Sequence, residues 1–187
     1  AKLGELSTGE SVAEFLSTAS ESPVHRALAS RISGFLGDVE VVVVKKGDKV
    51  PSTIARGGAS GMASSSSVTG KTKVYVRAEE LVSAVGTNAE IVLHELLHAA
   101  TARRISDARY TSNEGSALQK AWLELNDLTG AVIKARKELI SEGGDFVGPR
   151  VLDGDEVLAW GLTNKKFQDW LGTIKVDGGG TMFNKFV

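Results

Sequence analysis

His94-Glu95-Leu96-Leu97-His98 is the stretch from which the rest of the chain is best read. Upstream, Thr87-Asn88-Ala89-Glu90 is a capping box that opens the predicted helix from Ile91 to Arg104, and the stretch lies inside that helix. On a helix, positions four apart differ by about 40° in azimuth and 6 Å in rise, so the two imidazoles converge on one point. Neutral imidazole in that arrangement suits zinc. Glu95 points about 100° round from His94, beside the ion rather than at it, where a carboxylate takes a proton from water. Leu93, Leu96, Leu97 and Ala100 form a separate apolar stripe, which predicts a buried face with the histidines at its edge.

Working outward, the N-terminal residues read as two helices. Ser7 and Thr8 precede an apolar-periodic run through Leu16. Ser22-Pro23 is an N-cap with proline at the first helical position. Val39-Glu40-Val41-Val42-Val43-Val44 is too β-branched for a helix and reads as a central strand, and Lys73-Val74-Tyr75-Val76-Arg77 as a half-exposed one. The Gly/Ser-rich segment 47–70 between them reads as a wide hairpin loop, with Gly57 to Gly70 a candidate flap. Downstream the pattern is helical: a long helix from about Ser112 to Ile140, a short one capped by Asp153, another capped by Asn164, and a last one over Thr181–Val187 after Gly178-Gly179-Gly180. The layout predicts an α+β fold, with a small mixed sheet and a largely helical C-terminal half.

Composition narrows the chemistry. The chain has 187 residues, 42% of them hydrophobic, enough for a core without covalent staples. It contains no cysteine, which excludes disulfides, thiolate catalysis and Cys-ligated metal sites. A net charge of −1 gives no field for nucleic acid, and no apolar run reaches a membrane span. The given sequence shows no charged n-region followed by an apolar h-region at its start, so no signal peptide is visible in it.

Two histidines leave a zinc site one protein ligand short. His25, the third histidine, reads as a surface or half-buried helix residue. Two carboxylates compete on the residues alone. Glu114 opens a predicted helix, where an acid is also a routine dipole partner; Glu156 stands in an otherwise apolar one.

The segment Glu90 to Thr101 resembles the active-site helix of the zincin metallopeptidases. Asp155-Glu156-Val157-Leu158-Ala159 with Leu162-Thr163-Asn164-Lys165-Lys166-Phe167-Gln168 resembles the E-F-x-A-E-x-x-x-N-x-x-F-Q stretch of one subgroup. These are metallopeptidase domains of large polyvalent proteins of phages and mobile elements, related in their ligand helix to anthrax lethal factor. The resemblance spans roughly residues 39–171. It implies one Zn2+ held by His94, His98 and Glu156, with Glu95 as general base and peptide bonds as the substrate. It also implies a substrate that pairs with an edge strand, assigned to Val74, Tyr75 and Val76. Two positions depart from the pattern: Trp160 replaces its second acid, and no tyrosine precedes the ligand helix, which leaves Tyr110 as the candidate oxyanion stabiliser.

The expected organisation is N-terminal helices over 1–37, a zincin-like metallopeptidase domain over 38–175 and a tail over 176–187. Ala1 in place of an initiator and the unfinished apolar face of Phe183, Phe186 and Val187 suggest a longer polypeptide as partner. The resemblance points to a phage particle or the bacterial cytoplasm. The competing expectation is a non-catalytic zincin-fold module with a retained or vestigial metal site. Glu95 argues for catalysis, since a purely structural zinc needs no carboxylate there.

Overall fold

A computed structural model describes residues 5–45, 47–50, 60–66, 71–78, 87–110, 113–176 and 179–185. It is mixed α+β. Two helices, α1 (Gly9–Ala19) and α2 (Pro23–Ile32), lead into β1 (Val39–Val44), β2 (Gly61–Ser65) and β3 (Thr72–Arg77). Then follow α3 (Thr87–Tyr110), α4 (Ala117–Ser141), α5 (Gly154–Thr163) and α6 (Lys165–Thr173). The chain divides into two compact units, residues 1–100 and 101–187. The division falls within α3.

At the starts of α1 and α2 the local chemistry matches the sequence. The Thr8 hydroxyl accepts from the Ser11 amide, and the Ser22 hydroxyl accepts from His25 ahead of Pro23 at the first helical position. The Arg26 guanidinium donates to the Ser20 and Glu21 carbonyls at 2.7 and 3.0 Å and fixes the turn between the helices. Gly9 lets α1 approach the sheet, because a Cβ there would stand 2.9 Å from Val39 Cβ. Val12, Leu16 and Leu36, Val39, Val41, Val74 and Val76 of the sheet, and Val92, Leu93, Leu96 and Leu97 of α3 are all buried. The leucine stripe of the histidine helix is thus buried as its spacing predicts, and the helix itself is longer than expected, reaching Tyr110.

The sheet differs from the expected one. Its order is β1-β3-β2, with β1 parallel and β2 antiparallel to β3. β1 is therefore an outer strand, not the centre; part of its far side is met by the segment before α1, where the Val41 amide donates to the Ser7 carbonyl at 2.8 Å. β3 is the central strand. The segment expected to be one wide hairpin loop contains β2, and a hairpin joins only β2 to β3. Within the flap expected over Gly57 to Gly70, residues 61–65 are strand, and 57–59 and 67–70 lie outside the described residues.

The second unit is helical. Ser116 caps α4, five residues into the expected helix. Asp153 caps α5 through the Glu156 amide at 2.9 Å, and Asn164 caps α6 through the Phe167 amide at 2.9 Å. Val132, Val157, Phe167, Leu171 and Met182 form the core, with Phe146, Trp160 and Trp170 packed around it. Within the expected C-terminal helix over 181–187, Phe183–Lys185 form a 3-10 turn, and residues 186–187 lie outside the described residues. Gly179 and Gly180 take φ of 91° and 86°, and the Met182 amide donates back to the Ile174 carbonyl at 2.8 Å, so the chain reverses and drops Met182 into the core.

Candidate metal centre

His94 and His98 project from adjacent turns of α3, both half-buried. Their Nε2 atoms are 3.1 Å apart, and the rings stand edge to face, with centroids 4.7 Å apart and planes at 77°. Zinc bonds of about 2.0–2.1 Å at tetrahedral angles set two nitrogen ligands roughly 3.3 Å apart. The pair therefore presents its lone-pair atoms at close to the spacing that one zinc ion requires. The buried leucines on the neighbouring face of the same turns hold the histidine backbone in place.

Glu95 turns toward the sheet. A Cβ built on Gly61 would lie 2.7 Å from Glu95 Cγ, 3.2 Å from Cδ and 3.3 Å from Oε1, so the carboxylate stem runs directly against the first residue of β2. The register of β2 adds a second fact. The Arg77 amide donates to the Ser60 carbonyl and the Ser66 amide to the Lys71 carbonyl. In an antiparallel pair such bonded positions alternate with unbonded ones. Residues 60, 62, 64 and 66 therefore bond inward to β3, while Gly61, Ala63 and Ser65 direct their N–H and C=O groups outward. Among the described residues no strand pairs with that side of β2.

This corrects the edge assigned to Val74, Tyr75 and Val76. Those residues pair with Val41–Val43 on one side and Gly61–Ala63 on the other, and Val74 and Val76 are fully buried. The alternation of residues 73–77 reads as half-exposed because Lys73 and Tyr75 face away from the buried side, and Lys73 forms an ion pair with Glu40 at 2.9 Å. Alternation reports the two faces of a strand and is silent about its edges.

Glu156 lies in the first turn of α5, half-buried, its own amide held by the Asp153 cap. Among the described residues one set of metal-binding side chains comes together: the ligand atoms of His94, His98 and Glu156 all lie within 4.8 Å of one another. Glu114 is outside that set, exposed in the turn before α4. Asp155, beside Glu156, is half-buried. Burial chiefly holds its carboxyl above the usual carboxylate range, the negative charges of Asp153 and Glu156 add to this, and Arg109 opposes it.

Tyr110 is not brought to the histidines. It ends α3, 76% exposed, with the Arg109 guanidinium 5.6 Å from its ring centre. Twelve residues of helix at 1.5 Å each place it about 18 Å beyond His98 along the axis. The residue that reading the sequence missed is Gly61. Its only signal was one glycine among several in the Gly/Ser segment, and nothing local distinguishes it.

Comparison with family models, with curated proteins and with solved structures gives no match. No helix among the described residues is long and apolar enough to cross a membrane.

Proposed function

We propose that this chain is a zinc-dependent metallopeptidase whose metal is held by His94, His98 and Glu156 and whose general base is Glu95. The observation that carries the reading is the His94–His98 Nε2 separation of 3.1 Å on one helix, with the Glu156 carboxylate in the same set of ligand atoms. Two imidazoles and one carboxylate are the ligand chemistry of hydrolytic zinc sites that keep a fourth position open. Zinc bound there would supply a Lewis acid for a peptide carbonyl and lower the pKa of water toward neutrality.

The remaining steps belong to the chain's own residues. Glu95, lying against β2, accepts a proton from the attacking water and is placed to return it to the leaving amine. The side of β2 that pairs with no described strand offers the outward N–H and C=O of Gly61 and Ala63, to which an extended peptide adds as a further strand. This moves the substrate-binding role from Val74–Val76 to β2 and keeps peptides or proteins as the substrate class. Origin in a phage or mobile-element protein remains part of the proposal on the strength of the sequence resemblance.

The test is hydrolysis of dye-labelled casein by zinc-loaded protein, with chelation and readdition of zinc as the control. Hydrolysis that chelation abolishes and zinc restores supports the reading. Zinc-loaded protein that leaves casein, and a peptide library displayed on beads, intact refutes catalysis and leaves the non-catalytic metal-binding module.

A further inference from the structure

We infer that Gly61 is a positioning residue for Glu95: the bare backbone at the start of β2 forms one wall of the slot in which the Glu95 side chain lies. The inference deepens the metallopeptidase reading and rests on it for the role of Glu95, while the contact itself does not depend on that role.

The geometry is specific to this pair. The three atoms nearest a Cβ at residue 61 all belong to Glu95, at 2.7, 3.2 and 3.3 Å. The closest is Cγ, in the middle of the side chain, so swinging only the carboxylate does not clear it. A separation below 3 Å between two such carbons is deep in repulsion, and the chain relieves it by turning the glutamate to another rotamer or by backing the strand away. β2 does not back away freely. Residues 60 to 66 are tied to β3 by the ladder, and β3 is anchored by its buried Val74 and Val76. The glutamate is the part that yields.

Conformational need does not explain a glycine here. Its φ is not positive, since Gly61 is outside the set of positive-φ glycines, so alanine would suit the backbone as a strand residue. What glycine provides is the close approach of side chain to strand. The next residue on the same face, Ala63, already carries a Cβ, so a register slip of two residues would place a methyl group against Glu95. Residue 61 therefore couples the strand register to the placement of the base. Displacement of a catalytic group by about 1 Å costs on the order of 100-fold in rate.

The test is a double-mutant cycle of Gly61→Ala and Glu95→Ala on the full chain, read first by thermal midpoint of the metal-free protein. The expected result is a lowered midpoint for Gly61→Ala when Glu95 is present and no further lowering when Glu95 is already alanine. An equal loss in both backgrounds overturns the inference, because Gly61 then acts through something other than Glu95. The double variant keeps the test decisive even where Gly61→Ala alone fails to fold, since the cycle then predicts rescue.

The second readout is steady-state hydrolysis of labelled casein by zinc-loaded protein. Gly61→Ala should lower kcat about 100-fold with KM and zinc content unchanged. A raised KM with kcat retained overturns the positioning role. Absence of hydrolysis by the wild type refutes the peptidase reading instead, and the thermal cycle alone then decides the contact.

Discussion

Phe167→Ala should unfold the second unit far more readily, and the effect can be read without interference from the first. Phe167 is fully buried, and its ring meets Trp170 at 5.5 Å, with Phe146 and Trp160 each 6.2 Å away near perpendicular. Removing a buried phenylalanine costs about 3–5 kcal/mol in lost transfer energy and cavity. Three aromatic partners that lose their own packing put this site toward the upper end, about 4 kcal/mol or more. With a urea m-value of roughly 1.5 kcal/mol per molar, the midpoint falls by about 2–3 M. Trp122, Trp160 and Trp170 are the three tryptophans of the chain, and all belong to residues 101–187. Tryptophan fluorescence against urea therefore reports this unit alone. Val157, next to Glu156, belongs to the same core, so the variant should also bind zinc less tightly. A loss below about 1 kcal/mol would show that Phe167 is not enclosed as described, since a residue that buried cannot be truncated so cheaply.

Three further outcomes follow from the same geometry. Glu95→Gln keeps the size and the contact with Gly61 but cannot take a proton, so zinc content should hold while casein hydrolysis falls about 100- to 10,000-fold; a loss under tenfold would remove Glu95 from the mechanism. Asp155→Asn should stabilise the metal-free second unit at pH 7, because burial raises the folded carboxyl's pKa and its charged form then costs stability. That gain should fade as the pH falls through the raised value toward the ordinary one, and a urea titration at pH 7 and at pH 3.5 that shows equal effects would contradict it. Gly9→Ala should cost the first unit about 1–3 kcal/mol by forcing a Cβ to within 2.9 Å of Val39 Cβ and 3.0 Å of Leu36 Cβ. Amide hydrogen exchange in β1 is the readout, and unchanged protection would refute the tight contact.

What could be read from the sequence were the features with a local cause. The caps at Ser22, Asp153 and Asn164 are each set by a side chain three residues from the amide it satisfies, and all three form as expected. The leucine stripe of α3 follows from period alone. Strand order did not, because pairing partners lie far apart in sequence and no local pattern says which strand sits in the middle. β2 was hidden for a related reason. Gly-Met-Ala-Ser-Ser has little intrinsic strand preference, and its extended form comes from the ladder to β3. The candidate site divides along the same line. His94, Glu95 and His98 are a local helical pattern, whereas Gly61 against Glu95 is a contact across the fold. Tyr110 was a candidate by elimination, and helix length alone carries it away from the histidines.

The central claim is that His94, His98 and Glu156 together hold one zinc ion. Elemental analysis of metal-replete wild-type protein and of the Glu156→Ala and Glu114→Ala variants tests it most directly. The account predicts one zinc per chain in the wild type and in Glu114→Ala, and loss of the metal in Glu156→Ala. A wild type without zinc, or zinc lost with Glu114 and kept without Glu156, would contradict it.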